Sequence, residues 1–196
     1  TTKEKEHPME KVCKIAQKIT VYLSILVYAL LAIYAFGMST PAAPLHQYQD
    51  TLNFYEQIQP YNDEILYFAI AGLVLALFYR VLRNDVRKVF YISNFIWSGI
   101  YGVFSIFAGI QSLLFIRFYQ VCYQQVDFAT VNAYFASTTP DVSLNPNTPV
   151  FLLGYIVSIL VVLSALPVLF VGIYKAIGQF GKKKEAKASV GESKHE

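Results

Sequence analysis

Charge is scarce in this sequence. Asp, Glu, Lys and Arg make up 15% of its 196 residues, against roughly 25% in soluble domains. That deficit argues against an ordinary water-exposed surface. Cysteine is scarce too: Cys13 and Cys122 are the whole complement. They are too few for a disulfide scaffold, and the lack of a C-x-x-C pair argues against a thiol redox site. The three histidines, His7, His46 and His195, are scattered, which supports neither a metal site nor haem ligation. No phosphate-binding loop, nucleophile elbow or dinucleotide fingerprint occurs. No catalytic residue, metal ligand or cofactor is assigned, and the chain is read as a non-enzyme. Ten glycines and eight prolines without a repeat exclude collagen and low-complexity disorder.

What fills the sequence is apolar. Hydrophobic residues reach 55%, aromatics 16%, and the mean hydropathy is +0.41. A bilayer core needs roughly 20 apolar residues in a helix, and four runs meet or approach that length, at 19–38, 65–82, 89–116 and 150–176. The reading is an all-α polytopic membrane protein. Its four-transmembrane-helix bundle spans 19–176, between tails at 1–18 and 177–196, with outer segments at 39–63 and 117–149. The first run is longer than a signal-peptide core, so it is read as a span. Thr148 and Pro149 predict an N-cap and a first helical residue for the fourth span. Pro167 predicts a kink in that span, with Ser164 near enough to help a freed carbonyl.

Orientation follows from lysine and arginine. Fifteen of the 16 basic residues fall in the N-terminal tail, the 80–88 connection or the C-terminal tail, and Arg117 alone falls on the other side. The outer segments carry six acids against that one arginine. Both termini are therefore expected to be cytoplasmic. The basic residues form three juxtamembrane pieces that suit anionic headgroups and do not suit nucleic acid.

Helices in lipid associate through small residues and interhelical polar contacts. The third span has such a seam in Asn94, Ser98, Gly102, Ser105, Gly109 and Ser112, spaced by threes and fours, and the fourth has a looser one at Gly154 and Ser158. Helix packing is the first reading of this face, and the third span is expected to be the central helix. A water path is the alternative. No ionisable residue sits in the middle of any span, which disfavours a secondary transporter acting alone.

The first outer segment carries Leu45, Tyr48, Leu52 and Tyr55 on one helical face between Pro44 and Pro60. It predicts a short amphipathic helix whose face caps the bundle or binds a partner. Residues 117–137 are expected to extend the third span, with Tyr134 and Phe135 packing on the first outer segment, before a turn-rich stretch. Asp63 and Glu64 read as solvation of a helix start. The basic C-terminal tail is expected to lack regular structure.

Topology alone is weak evidence of function. The leading expectation is an accessory or scaffold subunit of a larger membrane complex, partnered by the bilayer and by other integral membrane subunits or further copies of itself. An oligomeric channel or transporter subunit using the third span's polar face is the alternative, and a membrane enzyme acting on lipid ranks last. The lack of glycosylation acceptors and paired cysteines favours a bacterial plasma membrane over an organellar one.

Overall fold

The computed structural model describes residues 8–39, 48–83 and 91–192, with side chains for 15, 18–39, 48–80, 95–174 and 177. Leu45, the three histidines and the 84–88 connection lie outside the described residues, as do the side chains of Cys13 and Asn94. Every regular element described is helical: α1 (Pro8–Ser39), α2 (Gln49–Arg83), α3 (Tyr91–Tyr123), α4 (Phe128–Thr138) and α5 (Val150–Glu192). All but α4 are long and apolar enough to cross a membrane, over Lys18–Ser39, Gln49–Arg80, Phe95–Tyr123 and Val150–Tyr174.

Each long helix has a buried stripe at helical spacing, while its other faces stay apolar and exposed. Ile33, Phe36, Val103, Leu114, Leu152 and Phe170 all project outward. A helix apolar on every side suits a lipid surround, and together the four make a multi-pass membrane protein.

Cross-helix contacts fix the topology. Asn62 meets Ala35 and Arg80 sits over Tyr22, so α1 and α2 are antiparallel. Phe78 stacks on Trp97 and Tyr61 packs on Phe118, so α2 and α3 are antiparallel. Gly172 lies beside Ser98, and Gly154 beside Ile116, so α3 and α5 are antiparallel as well. The fourth side, α1 with α5, closes a ring in which α3 and α5 share the most extensive interface. In this ring α3 is a corner and not a central helix, but its seam correctly anticipates close packing on the second and fourth spans, α2 and α5.

Three other expectations are corrected. The amphipathic stretch before Pro60 is no separate helix: α2 runs unbroken from Gln49 through Pro60 to Arg83. Its buried stripe explains why, for Thr51, Phe54, Ile58, Asn62, Ile65, Ala69, Ala76 and Tyr79 lie on one face that continues past the proline. Packing along that stripe outweighs one missing backbone hydrogen bond. The extension of α3 stops at Tyr123, where a turn at 124–127 intervenes before α4. Asp127 starts α4 by accepting from the Thr130 amide at 3.2 Å, which an uninterrupted helix would not allow. The tail is helical to Glu192. Lys, Glu and Ala fill 182–187 and are strong helix formers without any core.

Candidate functional site

The seam comes first. Ser98, Ser105, Ser112 and Ser158 are buried, and so are Gly102, Gly109 and Gly154. At Gly109 a Cβ would stand 3.0 Å from the Ser158 carbonyl oxygen and 3.2 Å from the Val162 nitrogen, besides meeting the Val162 side chain. Here α3 and α5 approach backbone to backbone, and any Cβ would force the α5 backbone to give way. A Cβ at Gly102 would run into the Leu169 side chain. At Gly154 it would lie 2.6 Å from the Tyr34 hydroxyl, so this glycine makes room for a phenol from α1. The small face of α3 is thus covered from within the chain.

Inside the ring is a layer of tyrosine and serine. The Tyr28 hydroxyl donates to Ser105 Oγ at 2.7 Å, joining α1 to α3 across the diagonal. Tyr101 Oη lies 3.1 Å from Ser164 Oγ, joining α3 to α5. Ser164 gives its proton to the Val161 carbonyl at 2.7 Å, so Tyr101 must be the donor of that pair. This corrects the sequence expectation for Ser164, whose hydroxyl serves Val161 and Tyr101, whereas the carbonyl that Pro167 frees belongs to Leu163. The rings also pack, Tyr28 edge-on to Tyr101 at 6.2 Å and Tyr79 stacked on Tyr101 at 6.2 Å.

Nearer the α4 end the pattern changes. Asn62 Nδ2 donates to the Ala35 carbonyl at 2.7 Å. Yet Asn62 Oδ1, Tyr34 Oη, Ser112 Oγ and Tyr119 Oη, all buried, have no hydrogen-bond partner among the described residues. Tyr155 donates to Gln120 Oε1 at 3.2 Å, and Arg117 reaches the same oxygen.

A cap closes this end. The Tyr48 and Tyr134 rings pack 5.5 Å apart, and Phe135 is fully buried. The Asp127 amide donates to Asp50 Oδ2 at 3.3 Å, tying the start of α4 to α2. Asn132 holds the following loop at both ends of its amide, donating to the Leu144 carbonyl at 3.0 Å and accepting from the Leu144 amide at 2.7 Å. Hydrogen bonds from the Thr130 hydroxyl and then the Thr130 and Ala129 amides hold the Asp127 carboxyl below its ordinary range. Thr148 accepts from the Val150 amide at 3.5 Å at the start of α5. Asp50, Asn53, Gln57, Gln125 and the free Cys122 thiol line a groove of about 140 Å³ beside the cap.

Of the residues read as an outer binding face, Tyr48, Leu52 and Tyr55 are half-buried, and Tyr48 is engaged by Tyr134. Sequence reasoning missed the tyrosine layer and Asn62. One signal was available: tyrosine favours membrane interfaces, so Tyr28 and Tyr101, deep within their spans, imply hydroxyl partners inside the bundle. The chain matches no family model, no curated protein and no solved structure.

Proposed function

We propose that this multi-pass membrane protein is a non-enzymatic accessory or scaffold subunit, with both termini cytoplasmic and the α4 cap as the docking face for another integral membrane subunit. The observation that carries the reading is how the cap is built. Three separate ties hold it to itself and to the bundle: the Tyr48–Tyr134 ring contact, the Asp50–Asp127 hydrogen bond and the paired bonds of Asn132 with Leu144. A surface fixed in advance loses less conformational entropy on docking. Gln124, Gln125, Ala133, Ser137, Asp141 and Asn147 stay exposed around it, which suits a polar, hydrogen-bonding partner surface. The alternative of an inter-subunit pore along the third span draws no support from Gly102 and Gly109, which α5 covers.

Gentle co-purification from native membranes, followed by native mass spectrometry, is expected to recover a stoichiometric partner. Asn132→Ala should weaken that recovery without changing membrane insertion. Isolation solely as a monomer, with no cross-linked partner at the cap, would overturn the reading.

A further inference from the structure

Four oxygens near the α4 end of the core stand out because the same residue types are paired one layer away. Tyr34 is 6% exposed, and Asn62, Ser112 and Tyr119 are 0% exposed. Each has a polar atom with no protein partner among the described residues. They come from α1, α2 and α3, and several contacts bring them to one level. Asn62 is bonded to Ala35, the residue after Tyr34. The Tyr34 phenol and Ile116 both crowd Gly154. Ser112 lies one turn before Ile116 on the same buried face of α3, and Tyr119 one turn after it. Helical side chains lean toward the helix N-terminus, which turns Tyr119 back toward Ile116. Tyr119 is also within electrostatic range of Tyr34. The Tyr28–Ser105 bond sets the register of α1 against α3, and one heptad further along both helices come Ala35 and Ser112.

We propose that Tyr34, Asn62, Ser112 and Tyr119 form an internal hydration site, in which one or two ordered water molecules bridge α1, α2 and α3. The chemistry of the donors selects water. Three hydroxyls can each donate and accept, while Asn62 Oδ1 can only accept, so a guest must both give and take protons. A cation would leave the hydroxyl protons unused. Asp63 and Glu64 also lie within electrostatic range of Tyr119, but Asp63 is half-exposed and Glu64 exposed, so neither is buried at the node as a ligand for a desolvated cation. Buried water commonly makes about three hydrogen bonds to groups of this kind. Among the described residues, these four are the buried side-chain oxygens without a protein partner, which is why the water is assigned to this node.

The test uses the full chain in lipid nanodiscs. Radiolytic hydroxyl-radical footprinting oxidises side chains next to bound water. Tyr34 or Tyr119 should be labelled at least about fivefold faster than Tyr28 and Tyr101, the internal controls whose hydroxyls are bonded within the protein. Equal labelling would overturn the proposal. Thermal unfolding gives a second reading that does not depend on labelling. Tyr119→Phe and Ser112→Ala should each lower Tm by about 2–4 °C, because a water loses a partner. A dry, unpaired hydroxyl would give the opposite sign, since its removal relieves a desolvation penalty, and an unchanged or raised Tm would sink the idea. Finally, sodium chloride should give the same Tm as choline chloride at equal ionic strength. A sodium-specific rise in Tm that Asn62→Leu abolishes would replace the water with a cation and overturn the assignment.

Discussion

The α3–α5 seam and the α4 cap are both ordered, but they are ordered by opposite means. The seam depends on what its residues lack: Gly102 and Gly109 carry no side chain where α5 approaches, and a single added carbon at Gly109 would meet backbone. The cap depends on what its residues carry, namely the carboxylates of Asp50 and Asp127 and the amide of Asn132, each bonded to backbone. The solvent explains the difference. In lipid there is no hydrophobic force between helices, so contact area and the removal of steric obstacles decide association. In the cap, α4 and the loop after it are mostly exposed and outside the four apolar spans, and they are held instead by local side chain-to-backbone bonds. The comparison predicts that seam and cap fail independently and to different extents.

The largest effect is expected at Gly109. A Cβ there cannot be absorbed by a rotamer change, because the atoms it meets include the Ser158 carbonyl and the Val162 nitrogen. Gly109→Ala should cost about 1–3 kcal/mol, measured by SDS-titrated unfolding. Gly99→Ala, where a Cβ finds nothing within 4 Å, should cost nothing and is the control. Equal losses at both positions would mean that the seam is not a steric device.

Next comes Asn132→Ala, which removes two bonds to Leu144. At roughly 0.5–1 kcal/mol each, the lower part of the usual range because both bonds are only part-buried, the loop at 139–149 should open more readily by about 1–2 kcal/mol. Limited proteolysis there should speed up roughly 5- to 30-fold, with SDS unfolding of the bundle unchanged. A bundle that weakens in step would show the two regions to be coupled.

Smaller still is the hydrogen bond from Tyr28 to Ser105. Double-mutant cycles inside membrane bundles average about 0.6 kcal/mol and reach about 1.7. A cycle of Tyr28→Phe and Ser105→Ala should give a coupling in that range. A coupling near zero would reduce the diagonal contact to ring packing alone.

How much of this was legible beforehand divides along the same line. The four apolar helices were readable because lipid demands long uncharged runs. The small residues of α3 and α5 were readable from spacing, and the Tyr134 contact with the stretch at 39–63, made through Tyr48, was readable from how far Tyr134 lies beyond the third span. The continuity of α2 was not readable. Pro60 is a strong local signal for an end, and only the three-dimensional stripe from Thr51 to Tyr79 overrides it. The four unpaired oxygens were hidden for a different reason. Tyr34, Asn62, Ser112 and Tyr119 are far apart in sequence, and what joins them is the register of three helices. Local chemistry hid the α3–α4 break as well, since a capping role for Asp127 is visible only once the turn at 124–127 exists.

The smallest expected effect separates the regions by pH. Asp127 is exposed, and the bonds from Thr130 and Ala129 place its folded pKa below its ordinary value, which is about 3.9 in an unfolded chain. The sign follows from linkage. A carboxylate with a depressed folded pKa contributes its full share at every pH above the unfolded value, and that share is lost as pH falls from there through the folded value. The α4 start should therefore be constant from pH 7 to about 5 and should weaken only in more acidic solution, below about 4. The Thr130 amide donates to Asp127 Oδ1, so its NMR shift in a detergent-solubilised sample reports the titration directly. Its midpoint should lie below the unfolded carboxyl value, and Asp127→Asn should flatten the curve. The Gly109 contact with α5 is made by uncharged groups and should show no change over the same range. A Thr130 midpoint above the unfolded value would mean that the N-cap bond is absent in solution, and the cap would then have to be held by Asn132 and the Tyr48–Tyr134 contact alone.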